Sequence, residues 1–181
     1  MGAAFEGAWA LLKDSPYMQR IAHSTSATHP SYSLMDEEHT MGGVNTSVPK
    51  ANPNSLLLGT ASLRQPHQRQ GHYDKMLRTL LQHLPDDGTL QSWARNKASQ
   101  PFHEKFMANL PPTIEGNVEP QETPYYAKVK DSRDKYTYNR KPTPKDWGDL
   151  RYDLGGYPLV QADEGRRTGA DTNTQSTLED F

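Results

Sequence analysis

Apolar residues gather in two stretches of the chain, the first dozen positions and Leu56 to Leu110, and proline and glycine punctuate the polar remainder. In the first stretch Phe5, Ala8, Trp9 and Leu12 recur at i, i+3, i+4 and i+7, which predicts a short amphipathic helix over 3–13. Asp14-Ser15-Pro16 ends it, because the residue before a proline avoids the helical region. Its stripe is expected to pack on the domain's own core, with docking to a partner as the alternative. From Ser24 to Asn54 the chain is polar, and short strands are expected around Tyr32–Met35 and Gly43–Val48.

The second stretch carries the clearest patterns. LLLGTASL, residues 56–63, reads as a strand. Tyr73, Met76, Leu77, Leu80, Leu81 and Leu84 share one broad face of a helix over 73–84, terminated by Pro85-Asp86-Asp87-Gly88. Thr89–Ala94 reads as a short strand whose Trp93 should pack against that helix. Ser99 caps a further helix with Pro101 in its first turn and Phe102, Phe106, Met107 and Leu110 on its buried side, before Pro111-Pro112 stops it. YYAKVK and KYTYNR flank Asp131-Ser132-Arg133-Asp134 and predict a hairpin. The organisation expected is one domain over 1–157 with its core at 56–110, followed by a disordered tail over 158–181 that has almost nothing to bury.

Composition narrows the function classes. Hydrophobic content of 33% and a mean hydropathy of −0.92 imply a modest, local core. A net charge of −2 argues against a general nucleic-acid binder, whose footprint is strongly basic. The absence of cysteine excludes disulfides, thiolate catalysis and cysteine zinc sites, and suits a reducing compartment. No apolar run is long enough for a membrane span, and Glu6 with no basic n-region speaks against a secretory signal, so a cytoplasmic protein is expected. His103-Glu104-Lys105-Phe106-Met107 opens like a zinc-protease helix but has Met where the second imidazole must stand, so no metal site is expected. Ser92 and Ser99 show no accompanying His/Asp pattern for nucleophilic catalysis.

Between the strand and the helix lies RQPHQRQGHY. Arg64, Arg69, Lys75 and Arg78, with His67 and His72, face the single acid Asp74 over residues 64–78. Successive loop N–H groups and a helix N-terminus can take phosphate oxygens while such side chains supply diffuse positive charge. Gly71 allows the backbone to approach closely.

In this context Gln68-Arg69-Gln70-Gly71-His72-Tyr73 resembles the acyl-CoA loop of the GNAT superfamily of N-acetyltransferases, Gln/Arg-x-x-Gly-x-Gly/Ala, placed between that family's fourth strand and third helix. Family members often carry Asn after the fifth strand and Tyr-Glu-Lys seven residues later; here Asn96 is followed at that distance by His103-Glu104-Lys105. The opening AFEGAWALLK is also similar to small reading frames of phage and environmental microbial genomes.

The resemblance implies an α/β (α+β) fold, a mixed, mostly antiparallel sheet flanked by helices. It implies acyl transfer from acetyl-CoA to an amine, on a small molecule or a protein, by direct attack. Gln68, Arg69, Gln70, Gly71, His72 and Tyr73 would hold the pyrophosphate, and a backbone amide near Leu63 would polarise the acyl carbonyl. Asn96 would position the CoA arm, and His103, in the place of the family's tyrosine, would protonate the departing thiolate. Tyr73 stands where a second small residue is usual, so its side chain must point away from the phosphates. Met107-Ala108 replaces the usual Gly-Phe. Glu37 and Glu38 are candidates for a general base. The competing expectation is a non-catalytic binding or structural protein that keeps such a core.

Overall fold

The computed structural model describes residues 16–21, 28–37, 39–93, 99–120, 134–142, 146 and 154–161. In chain order its elements are β1 (Tyr17–Ile21), β2 (Ser31–Asp36), β3 (His39–Ser47), β4 (Ser55–Leu63), a 3-10 turn (Gln65–His67), α1 (His72–His83), β5 (Thr89–Trp93), α2 (Ser99–Ala108), β6 (Ile114–Glu119), β7 (Lys135–Arg140) and β8 (Leu159–Gln161). The strands form one mixed sheet in the order β6-β7-β5-β4-β3-β2-β1-β8. Only β4–β5 and β1–β8 run parallel; the other neighbours are antiparallel. This is the mixed, mostly antiparallel sheet with helices that the resemblance implied.

Helix α1 makes the crossover between the parallel strands β4 and β5, and its sequence explains why it lies flat on the sheet. Tyr73, Met76, Leu77, Leu80 and Leu81 recur on one face, and all are buried. They meet Leu34 of β2, Val44 of β3, Leu58 and Leu63 of β4 and Leu90 of β5 in a single cluster. Each such side chain removed from water stabilises the fold by roughly 1.5–3 kcal/mol. Helix α2 lies beside α1 on the same face: Tyr73 packs at a tilt on Phe102 with ring centroids 4.5 Å apart, and Phe106 meets Tyr138 of β7 edge-on at 5.1 Å.

The C-terminal end of α1 is closed by a side chain from β7. Arg140 is 2% exposed, and its Nη1 donates to the carbonyls of Leu81, Gln82 and Leu84 at 3.2, 2.6 and 2.6 Å. A buried guanidinium is tolerated there because the last carbonyls of a helix need donors and carry the negative end of its dipole.

Several expectations are refined. KYTYNR is β7, but it pairs with β6 over Ile114–Glu119, a strand whose polar residues IEGNVE gave no apolar signal. YYAKVK lies outside the described residues, as do the 3–13 helix, Glu38 and Asn96. Trp93 does not face α1: Leu90 and Ser92 occupy the helix side of β5, and alternation puts Trp93 on the other side. The sheet also continues past residue 157, since Leu159–Gln161 pairs with Met18–Arg20.

Candidate active site

The chemistry concentrates where β4 ends and α1 begins. The parallel ladder of β4 and β5 covers only three pairs, Ser55–Thr89, Leu56–Leu90 and Leu57–Gln91, whereas β4 runs on to Leu63. Among the described residues nothing pairs with the β5-facing edge of β4 beyond Leu57. A register shift against β3 adds to this: Val44 pairs with Ala61 but Thr46 with Leu58, so Gly59 and Thr60 together oppose Asn45. Such a bulge bends its strand and increases the local twist.

Past the bulge, alternation decides where the main chain points. Arg64 N–H donates to Met41 C=O at 2.8 Å, which makes Arg64 and Met41 a hydrogen-bonded pair. The next pair, Leu63 with Gly42, is therefore of the non-hydrogen-bonded kind, and the N–H and C=O of Leu63 turn to the β5 side. Leu63 C=O accepts from Gln68 Nε2 at 3.0 Å, so Gln68 folds back against the strand end.

The loop that follows is shaped by two residues with positive φ, Arg69 at 60° and Gly71 at 81°. Gly71 is the N-cap of α1 and has no side chain with which to cap it. A Cβ at Gly71 would meet nothing within 4 Å, so glycine is required there by conformation, and open space lies in front of it. Arg64, Arg69 and Gln70 are exposed. Gln70 Nε2 donates to Pro66 C=O at 2.9 Å, which leaves its Oε1 to accept from His72 Nε2 at 3.2 Å. Burial and the neighbouring charges of His67 and Lys75 lower the His72 pKa, against an opposing pull from Asp36.

Two side chains of the expected cluster point elsewhere. Tyr73 is 8% exposed and packed against Phe102, away from the loop as its size demanded. Arg78 is a clamp: its Nε bonds Asp74 at 2.7 Å, and its Nη groups donate to Leu154 C=O and Asn109 C=O.

His103 stands apart from the loop. It is 1% exposed, with Nε2 3.1 Å from Ser92 Oγ and Nδ1 2.7 Å from the Tyr138 hydroxyl, and its ring stacks on Tyr136 at 4.7 Å. Burial pushes its pKa down to about 4, so the ring is neutral at neutral pH. Ser92 thus has a histidine partner that sequence spacing did not reveal, but Ser92 is itself 4% exposed. Glu37 lies at the exposed β2–β3 turn with φ 52°. A groove of about 420 Å³ lies elsewhere, on the flank of α2 formed by Glu104, Met107 and Ala108, and none of the expected cofactor residues is among its described lining. Among the described residues no three of His, Asp and Glu could hold a metal ion, and no helix is long and apolar enough to cross a membrane.

The residue that sequence reasoning missed is Tyr157, whose hydroxyl bonds His72 Nδ1. It lies 85 positions away, and no local pattern links the two.

No family model matches the chain. No curated protein matches it. Among solved structures it is similar to an acetyltransferase from Thermus thermophilus, with TM-score 0.47 and 13% identity over 64% of this chain and 66% of that one. It is also similar to diaminobutyrate acetyltransferase EctA from Paenibacillus lautus, solved with L-2,4-diaminobutyric acid and coenzyme A, with TM-score 0.45 and 13% identity over 63% and 72%. An IAA acetyltransferase from Bacillus cereus gives TM-score 0.45 and 10% identity over 71% of this chain and 100% of that one. The chain thus spans just under two thirds of the Thermus protein. At such identities the likeness does not transfer those proteins' activities to this chain.

Proposed function

We propose that this protein is an acyl-CoA-dependent N-acyltransferase that moves an acetyl group to an amine by direct attack. One observation carries the reading: the edge of β4 that no described residue pairs beyond Leu57, with Leu63 N–H turned toward it, ends at a positive-φ loop that opens directly into α1. A strand edge can hold an extended amide-bearing arm while the loop and helix N-terminus hold its phosphates. The residues present fit such a ligand, since Gly71 faces open space and the neighbouring sequence supplies Arg64 and Arg69, both exposed.

In this reading the main chain of 69–73, with Gln68 and Gln70 bracing the loop, would hold the pyrophosphate. His72 and Tyr73 would contribute their main chain, the His72 ring bracing Gln70. Leu63 N–H would donate to the acyl carbonyl oxygen, where a fixed donor stabilises charge that develops during transfer. Asn96 would help to position the arm. Bound acetyl-CoA would supply the activated acyl thioester.

No residue described here is placed as a covalent nucleophile, because Ser92 is buried against His103. His103 enters the proposal as a neutral ring that can offer only its N–H proton, a far weaker acid than imidazolium. The acceptor would be a small-molecule amine or a protein amine.

Calorimetric titration with acetyl-CoA tests the reading, followed by release of free thiol in the presence of primary amines. Binding at micromolar strength with amine-dependent thiol release is expected. A folded protein that melts cooperatively yet gives no binding heat would overturn it. Binding without turnover would favour the second reading, a non-catalytic binding protein. The observation in favour of that reading is His103, neutral and paired at both ring nitrogens.

A further inference from the structure

Residues Leu154–Tyr157 form a strap along α1. They lie on a second stripe of that helix, His72, Lys75, Arg78, Thr79 and Gln82, which the apolar pattern leaves free. Gln82 Oε1 accepts from the N–H groups of Leu154 and Gly156 at 3.1 and 3.0 Å, and Thr79 Oγ1 accepts from Tyr157 N–H at 2.7 Å. Gly156 is pressed so closely onto the helix that a Cβ would stand 2.5 Å from Thr79 N. Beyond the strap, Met18 N–H donates to Pro158 C=O at 2.9 Å and β8 joins the sheet edge at β1. Both ends of the strap are therefore held.

This arrangement delivers one hydroxyl to the loop. Tyr157 is 6% exposed, its ring lies along His72 with centroids 6.2 Å apart, and Lys75 Nζ sits 5.5 Å over the ring. Because Gln70 Oε1 is an acceptor, the proton of the neutral His72 ring belongs on Nε2. His72 Nδ1 is then an acceptor, and the Tyr157 hydroxyl donates to it. The relay runs from Tyr157 through His72 to Gln70, and on through Gln70 Nε2 to the Pro66 carbonyl of the 3-10 turn.

We infer that Tyr157 is a positioning residue of the phosphate loop, holding the His72 ring in the orientation that meets Gln70 Oε1 and through it the conformation of residues 66–71. The inference rests on the reading that this loop receives phosphate. The loop holds Arg69 and Gly71 at positive φ, conformations that a free loop leaves readily. A donor array held in its binding geometry loses less freedom when an anion arrives, so it binds more tightly.

Tyr157→Phe keeps the ring and removes only the hydroxyl. Two measurements decide: ¹⁵N NMR of the His72 ring, and calorimetric affinity for inorganic pyrophosphate and for CoA, each separately. In the wild type His72 should be the Nε2–H tautomer. In the variant His72 Nδ1 should shift toward the value of a ring nitrogen without a donor, with Gln70 Oε1 still keeping the proton on Nε2, and both affinities should fall about tenfold while the thermal melt moves little. Gln70→Ala should reproduce the loss of affinity and let the tautomers mix, because the Tyr157 hydroxyl can donate to or accept from either form of the ring. A Tyr157→Phe variant that keeps either the wild-type Nδ1 shift or the wild-type affinities would overturn the inference. If the wild type binds pyrophosphate but not CoA, the acyl-CoA reading falls while the pyrophosphate arm still decides the role of Tyr157. If it binds neither, the phosphate loop and the role of Tyr157 fall together.

Discussion

Two histidines in this protein have almost the same partners and opposite circumstances. His72 is bonded to a tyrosine hydroxyl at Nδ1 and a side-chain oxygen at Nε2, and so is His103. His72 opens α1 beside a loop that faces solvent, on a ring that is only partly covered. His103 is sealed between α2, β5 and β7. The comparison teaches that hydrogen-bond partners do not define a histidine's role; burial does. The outer ring can pass a geometric constraint to groups that a ligand could touch. The inner ring ties three elements together and stays uncharged.

The largest effect expected is on the outer side of this comparison. Gly71→Glu should weaken acetyl-CoA binding at least a thousandfold, about 4 kcal/mol, by placing a carboxylate in the open space and a side chain at positive φ. Calorimetry with a parallel melting curve checks it, and wild-type affinity in the variant would remove the loop from the site. His103→Phe should do the reverse. It strands the hydroxyls of Ser92 and Tyr138 and should cost about 2–4 kcal/mol of stability in urea unfolding, with CoA affinity near that of the wild type. A fall of a hundredfold or more in kcat, in a variant that remains folded, would instead make His103 the acid.

A smaller effect, spread over pH, follows from the same ring. His103 titrates at about 4 when folded and at its ordinary 6.5 when unfolded. Between these values the unfolded chain binds the extra proton, so stability rises with pH. The contribution is complete above about 6.5 and is lost as pH falls toward 4, about 3 kcal/mol in all. Urea midpoints measured across that range should show the slope, and His103→Phe should flatten it. The smallest effect concerns the clamp on α1's exposed side. Asp74→Asn removes the i,i+4 partner of Arg78 and should cost only about 0.5 kcal/mol, because Arg78 keeps its bonds to Leu154 and Asn109 carbonyls.

The loop and its helix were legible because their signals are local. Leu56–Leu63, Tyr73–Leu84 and Ser99–Leu110 announce themselves by periodicity, and Gly71 by its place between strand and helix. Those elements appear within one or two residues of the expected bounds. The pairing of β7 with β6 was not legible, since IEGNVE is mostly exposed and becomes a strand through backbone bonds to a neighbour. The facing of Trp93 was misread because helix proximity in sequence says nothing about which side of β5 meets α1. The Ser92–His103–Tyr138 group escaped notice because its members come from three elements that only the folded sheet brings together.

What the sequence alone determined is thus the set of central elements and the basic, glycine-containing junction among them. These depend on side-chain period, caps and breakers within a few residues of each other. Only the tertiary structure decided the order of the sheet, the parting of β4 from β5 beyond Leu57, the burial that neutralises His103, and the strap that sets Tyr157 on His72. Each of these is a meeting of residues far apart in the chain, and the free energy that fixes it comes from desolvation and pairing, which no single stretch of sequence contains.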